Sequence, residues 1–378
     1  LRRLGVKKGD KVCLFLPNCL EFLYLWFGLA KIGGVMVPLN INLRGEELRY
    51  IIHHCDARRI VMDEHLYPAF ACIEKDLARI EQKIWRGRND LPSRDFCSFK
   101  DLLRGGEDRS PEEEIKDEDP LSILYTTAAT TYPRGIMISH FNYIHTGEVW
   151  AKEVIDFQEE DIFYTHLPLF EANAQMFTIM GSLVTGCPHV LKEKFVPSGF
   201  WDEIDRCRAT VFNYNAGMIN MLMKQPISEN NAGHSIRAAF GGILSREDRR
   251  DFEKRFGIKV LEGFGWIESG GINLIRGNNN DKKNGSIGKP IRFFEVKPWD
   301  ENNQEVPIGE TGEIVVKGEV PYSMSLGYYK QPDRTAEAWD GGAFHTGDWG
   351  YKDADEYFYP TEQHQGRAIR RFGDNIFS

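Results

Sequence analysis

The sequence predicts an α/β protein built from two sheet-and-helix subdomains and a small antiparallel, β-barrel-like subdomain. Three observations predict it. Short apolar runs alternate with longer amphipathic stretches from Val12 to Phe264, the rhythm of strands joined by crossover helices. From about Gly285 the texture changes: turn pairs such as Gly309-Glu-Thr-Gly312 and Gly341-Gly342 separate short alternating runs, including Glu313-Ile-Val-Val-Lys317. At 378 residues, the chain is also too long for one small core. The expected division is 1–160 and 161–280 for the α/β parts, 281–350 for the barrel-like part, and 351–378 for a return to the core and a hinge.

In chain order, residues 12–17 read as a buried strand. Asn18 is placed to cap a helix over 20–32, which Gly33-Gly34 ends. Strands at 35–37 and 60–62 flank a helix over 44–53, whose Leu48, Ile51 and Ile52 share one face. Residues 86–119 hold few large apolar side chains, and the run Pro111-Glu-Glu-Glu-Ile-Lys-Asp-Glu-Asp-Pro120 reads as a solvated linker. Beyond it come helices near 142–154, 174–183 and 200–207, with strands at 163–167, 189–192, 210–214 and 260–264. Ser245-Arg-Glu-Asp248 resembles a capping box and opens a helix to about Phe256.

Composition narrows the function. A net charge of −9 argues against a general nucleic-acid binder, which needs a basic face. Seven scattered cysteines without a Cys-x-x-Cys suit reduced thiols in a cytoplasmic protein better than a disulfide framework or a zinc site. His53-His54-Cys55 invites a metal reading, but adjacent residues on a helix face apart. The apolar stretch 22–39 is interrupted by Lys31, Gly33-Gly34 and Pro38, so it reads as a buried helix and strand rather than a membrane span. The chain opens on Leu1 without a Met and reads as a fragment. The sequence neither requires nor excludes a homo-oligomer.

The chemistry centres on Tyr125-Thr-Thr-Ala-Ala-Thr-Thr-Tyr-Pro-Arg-Gly135, between two apolar runs. Four threonines beside Arg134 offer neutral donors and one fixed cation, a set suited to phosphate. A plain hairpin whose hydroxyls satisfy the turn backbone is the competing reading. What tips the balance is the order of later motifs: Leu167-Pro-Leu-Phe-Glu171, Gly241-Gly-Ile-Leu244, Phe264-Gly-Trp-Ile-Glu268 and His345-Thr-Gly-Asp348.

With Leu4-Gly-Val-Lys-Lys-Gly-Asp10 ahead of them, these motifs resemble those of the adenylate-forming acid–CoA ligases, the AMP-binding superfamily. Glu193-Lys-Phe195 and Phe200-Trp-Asp-Glu-Ile204 are most similar to carnitine/crotonobetaine–CoA ligases. The resemblance runs the length of the chain. It implies the large N-terminal domain without its first segment, and without the small C-terminal domain that carries the family's catalytic lysine. It also implies a reaction: ATP and Mg²⁺ activate a carboxylic acid as an acyl-adenylate, and CoA then takes the acyl group. No nucleic acid and no integral membrane segment are expected.

Residue by residue, the resemblance implies catalytic roles for Thr127, Arg134 and Glu268, with Glu268 also holding Mg²⁺. Thr126, Thr130, Thr131, Gly135, Gly241, Gly242, Phe264, Gly265 and Asp348 would bind the nucleotide. Phe170, Glu171 and Gly241 would line the acyl pocket. Several positions depart from the family pattern. Ala128 and Thr131 replace glycines, Ala129 a threonine, Arg134 a lysine, Glu171 a histidine and Ile267 a threonine. Gln363 and His364 stand where the hinge Asp and Arg belong. A side chain forced into positive φ costs about 1–2 kcal/mol, so weakened phosphate binding is expected. Two readings follow: an acid–CoA ligase with impaired turnover, or a non-catalytic nucleotide- or acyl-binding relative. A P-loop NTPase is a poor third, because no Gly-x-x-x-x-Gly-Lys-[Ser/Thr] occurs.

Overall fold

The first apolar runs become the strands of a seven-stranded sheet. Its members are β1 (Lys11–Phe15), β2 (Val35–Pro38), β3 (Arg59–Asp63), β4 (Gln82–Arg86), β5 (Phe96–Ser98), β6 (Pro120–Thr126) and β7 (Arg134–Ser139). They lie in the order β5-β4-β3-β1-β2-β6-β7, all parallel except β7, which pairs antiparallel with β6. This computed structural model describes all residues except 89, 107–108, 127–131, 227–232, 277–282, 362–367, 372–373 and 378, and only the backbone of 368–371 and 374–377.

The chain forms two compact units. The first comprises Leu1–Phe141 with Pro168–Glu171 and Leu326–Lys330; the second takes the rest. In the first unit, Cys13, Phe15, Val35, Val37, Ile60 and Met62 alternate along their strands and pack with Leu48, Ile51 and Ile52 of the helix Gly45–His54. Val12, Leu14 and Val61, which alternate with them, are buried too. That two-sided burial explains why these strands read as continuous apolar runs.

One expectation is corrected here. Asn18 does not cap the helix Leu20–Ala30: Cys19 holds the N-cap position, and the Asn18 Oδ1 accepts from the Leu169 N–H at 2.7 Å. A long-range backbone donor has taken the oxygen that local geometry offered to the helix. The stretch 86–119, expected to be poor in large apolar side chains, nevertheless holds ordered elements ahead of its acidic run. Phe96–Ser98 is the edge strand β5, and Phe99–Arg104 is a helix capped by Ser98, whose oxygen accepts from Asp101 N. Phe96 and Phe99 supply the anchoring apolar area and are 3% and 7% exposed. The acidic run is tied down as well: Arg2 pairs with Glu113 at 2.9 Å, and Lys8 pairs with Asp119 at 2.6 Å.

The second unit holds another seven-stranded sheet: β8 (Phe163–Thr165), β9 (His189–Leu191), β10 (Val211–Tyr214), β11 (Ala238–Gly241), β12 (Lys259–Phe264), β13 (Leu274–Arg276) and β14 (Lys289–Pro290). Its order is β14-β13-β12-β11-β10-β8-β9, with the last five of that order parallel and β13 and β14 antiparallel. A four-stranded antiparallel sheet follows, from β15 (Phe294–Trp299), β16 (Gly312–Gly318), β17 (Phe344–Lys352) and β18 (Phe358–Pro360). A two-stranded ribbon, β19 (Ala368–Arg371) with β20 (Asp374–Phe377), ends the described chain.

Ser245 caps as expected, accepting from Asp248 N at 3.0 Å, and Gly257 at φ +68° ends the helix Arg246–Phe256. Helices near 142–154 and 174–183 are present, but each carries a π-helical stretch, Trp150–Val154 and Asn173–Ile179. They cross at glycines: a Cβ on Gly147 would lie 2.6 Å from the Met180 Cβ, and one on Gly181 would lie 2.5 Å from the Trp150 ring. A 3.6-residue periodicity cannot report such widened turns. Among the described residues no helix is long and apolar enough to cross a membrane. All seven cysteines are free thiols.

Candidate active site

The predicted site residues divide between the two units. In the first, Thr126 and Arg134 face each other as the last cross-strand pair of β6 and β7, at the two ends of the segment expected to bind phosphate. Thr127, Thr130 and Thr131, with Ala128 and Ala129, lie outside the described residues. The frame rests on aromatic contacts. Tyr132 stacks on Tyr50 with centroids 4.4 Å apart, and Tyr50 stacks on His54 at 5.3 Å. The His54 Nδ1 and the Tyr125 hydroxyl are 2.7 Å apart. Burial, reinforced by the Lys330 charge, lowers the His54 pKa, and burial raises that of Tyr125. Both are therefore neutral near pH 7, and the phenol can donate to the ring.

Gly135 has a packing role: a Cβ there would sit 2.7 Å from Ile123 Cγ2 and 3.1 Å from the Tyr125 ring. Its carbonyl accepts from Tyr329 N at 2.8 Å. The Arg134 guanidinium lies 5.4 Å from the Tyr328 ring centroid, and its buried Nε has no hydrogen-bond partner among the described residues. Glu171 closes a turn through its N–H to Pro168 O at 3.0 Å, and Phe170 is partly buried beside it. Of the acyl-pocket set, Phe170 and Glu171 belong to the first unit and Gly241 to the second.

Gly241 and Gly242 do different things. A Cβ on Gly241 would fall 2.5 Å from Tyr214 O and 2.6 Å from its ring, whereas one on exposed Gly242 would meet nothing within 4 Å. Tyr214 donates its hydroxyl to Gly242 O at 3.0 Å. The segment beyond is held by Glu262, a fully buried carboxylate on β12. Its Oε1 accepts from Leu244 N at 2.8 Å, and its two oxygens take a forked bond from Arg276 at 2.6 and 2.8 Å. Arg249 adds a third cationic contact at 3.0 Å.

Phe264, Gly265 and Glu268 follow directly from β12. Phe264 meets Trp266 edge to face at 5.1 Å. A Cβ on Gly265 would run into the Gly271 carbonyl, so the turn admits only glycine there. Trp266 O accepts from Gly271 N at 2.9 Å, and Glu268 O from Ser325 N at 3.0 Å. Asp348 comes from β17, far off in sequence, yet the Trp266 indole N–H donates to its Oδ2 at 2.9 Å. Glu313 on β16 fixes the turn before it, accepting from Gly347 N at 2.8 Å while its other oxygen lies 2.8 Å from His345 Nδ1. Thr346 donates to Ile314 O at 2.6 Å. The structure thus unites Phe264–Glu268 with Asp348 in one unit.

The sequence model of the AMP-binding enzymes matches residues 1–329. The chain belongs to that family. It is 34% identical to the crotonobetaine/carnitine–CoA ligase of Salmonella heidelberg (strain SL476) over 378 residues, which is 99% of this chain and 72% of that protein. The inhibitor-bound N-terminal domain of FACL13 from Mycobacterium tuberculosis superposes with a TM-score of 0.85 at 25% identity, covering 96% of this chain and 88% of that one. The anthranilate CoA ligase AuaEII, solved with anthranoyl-AMP, gives a TM-score of 0.86 at 23% identity over 99% of this chain and 72% of its own, a likeness of fold. By family, then, the chain is an AMP-forming acid–CoA ligase, and ATP and CoA are the family's substrates.

Within this AMP-binding enzyme, four supporting residues escaped the sequence reading: His54, Glu262, Trp266 and Glu313. Each is a polar or aromatic side chain at an ordinary position, and only its distant partner gives it a role. Cross-strand pairing of Glu262 with Arg276 was the one discoverable signal, and it required knowing the β12–β13 register. The hinge positions Gln363 and His364 lie outside the described residues.

Proposed function

We propose that this chain binds ATP and a carboxylic acid as the large domain of an acid–CoA ligase, and that its turnover is impaired. The observation that carries the reading is the meeting of Phe264–Glu268 with Asp348 across the Trp266 hydrogen bond. In this reading, the Asp348 carboxylate accepts from the ribose hydroxyls. Phe264 offers its ring to adenine, and Gly242 leaves open backbone for the base. Thr126 and Arg134, with Thr127, Thr130 and Thr131, face the phosphates. Among the described residues no group of three or more His, Cys, Asp or Glu could hold a metal ion. Glu268 alone would therefore hold Mg²⁺ together with phosphate oxygens and water, the usual way this ion is bound. A bound Mg²⁺ supplies charge neutralisation for the phosphates.

Impairment is supported by what replaced the expected groups. Ile267 has no hydroxyl to offer, and removing one preorganised donor commonly costs about 10²–10³ in rate. Glu171 brings a carboxylate towards an anionic substrate, which repels it unless the acid is also cationic. The names of the relatives favour a small trimethylammonium acid, and Glu171 would suit that charge. A cytoplasmic setting fits the scattered free cysteines.

Calorimetric titration with MgATP and with a non-hydrolysable acyl-sulfamoyl adenosine tests the reading. The mimic is expected to bind, and Asp348→Ala to weaken it by about 100-fold, the value of two hydrogen bonds to a carboxylate. Folded protein that binds neither ligand would sink it. A second reading, a non-catalytic binding relative, draws on the joint replacements at Ala128, Ala129, Glu171, Ile267 and Gln363. Combining Ala128→Gly, Thr131→Gly and Ile267→Thr should raise ATP affinity if the site has merely eroded; no gain favours the second reading.

A further inference from the structure

We infer that Trp266 is a positioning residue for ribose recognition, its indole N–H holding the Asp348 carboxylate in the orientation that a cis-diol requires. The inference rests on the assignment of Asp348 to the ribose. An indole offers one N–H donor and no acceptor, so its contact with Asp348 runs in one direction only. The donor is well held. Gly265 cannot carry a side chain against the Gly271 carbonyl, Trp266 O takes the Ser269 and Gly271 N–H groups, and the ring packs edge-on to Phe264. The acceptor is held from its other side. Glu313 grips Gly347 N, Thr346 Oγ1 donates to Ile314 O, and Asp348 N donates to Thr346 Oγ1 at 3.1 Å. Backbone and carboxylate are thus fixed by different elements, β16 and the loop after β12.

An ionised carboxylate accepts about four hydrogen bonds, so one indole does not exhaust it. What the indole removes is rotation. An aspartate held in place before the nucleotide arrives loses less freedom on binding, and that saving adds to affinity. The benefit belongs to the diol alone, because only the diol uses the carboxylate. In the proposed reading the base meets Phe264 and Gly242 rather than the carboxylate.

The experiment compares the wild-type chain with Trp266→Phe, which keeps an aromatic ring beside Phe264 and deletes the N–H. Affinities for AMP and for 2′,3′-dideoxy-AMP are measured by calorimetry on each. The expected result is an AMP affinity about tenfold lower in the variant, with dideoxy-AMP affinity within about twofold of wild type. Equal losses for both ligands would mark Trp266 as merely structural and overturn the inference, as would no loss for either. A wild-type chain that does not prefer AMP to its dideoxy analogue removes Asp348 from the ribose, and this inference falls with that reading. A wild-type preference that persists undiminished in Trp266→Phe overturns the inference alone. Independently of any nucleotide, the Trp266 indole N–H resonance, assigned by its loss in Trp266→Phe, should shift in Asp348→Asn. An unmoved resonance also overturns it.

Discussion

Adjacent glycines in this protein are not equivalent. Gly241 faces Tyr214 so closely that even a methyl group must displace backbone, whereas Gly242 borders open space. Gly241→Ala should therefore destabilise by about 1–3 kcal/mol, the cost of overpacking, seen as a lower urea midpoint at constant m. Gly242→Ala should leave stability within about 0.5 kcal/mol of wild type, and any deficit should show in nucleotide affinity instead. Glu313 is the other residue with a sharp expectation. It accepts from Gly347 N, where φ is +76°, and lies within hydrogen-bond distance of His345. Glu313→Ala leaves that turn without its acceptor and should weaken AMP binding by about tenfold, the worth of a hydrogen bond to a charged group. Titration calorimetry on the folded variant checks it, and unchanged affinity would release Asp348 from dependence on β16.

At the scale of elements, β12 carries more than its length suggests. Glu262 is fully buried between Arg276 on β13 and Arg249 on the helix Arg246–Phe256, and it also takes the Leu244 N–H. One carboxylate thus joins a strand pair, a helix and the segment after Gly242. Glu262→Gln leaves buried Arg276 without its countercharge and Arg249 with Glu253 alone, and should cost about 3–5 kcal/mol, measured by denaturant unfolding. A loss below about 1 kcal/mol would show that water compensates the arginines. Much at this scale was legible in sequence. Alternation of apolar runs with amphipathic stretches marked the strands, Ser245 marked a helix start, and the apolar face of Leu48, Ile51 and Ile52 was read correctly. What escaped was non-local. Asn18 was diverted to Leu169, Phe96 and Phe99 anchored a strand and a helix in a stretch poor in large apolar residues, and the crossing at Gly147 and Gly181 accompanies π-helical turns.

At the scale of the whole molecule, histidines shielded from solvent contribute to the response to acid. His166 is 5% exposed, its Nδ1 has no hydrogen-bond partner among the described residues, and burial pulls its pKa down to about 3. Its unfolded value is about 6.5. Below that value the unfolded chain takes up a proton that the folded protein refuses, so stability present above about pH 6.5 is lost as pH falls towards about 3. The slope from this ring is about 1.4 kcal/mol per pH unit. His189, lowered to about 4 by burial, acts in the same direction. Replacing His166 by Gln should flatten the fall in stability between about pH 6 and about pH 4, and identical pH profiles for the two proteins would refute the assignment.

The sequence by itself determined the α/β class, the order of the motifs, and the residue types offered at each, because periodicity and turn chemistry are local properties of the chain. It also determined which expected groups are missing at Ile267 and Glu171, since an absent hydroxyl needs no fold to be absent. Only the tertiary structure decided which side chains hold those motifs in place. The Trp266 hydrogen bond to Asp348, the Glu313 clamp on Gly347 and the arginine pair around Glu262 each join residues distant along the chain. A hydrogen bond needs its partners within about 3 Å and well aligned, and for residues on different strands that condition is set by sheet order and register, which no local pattern encodes.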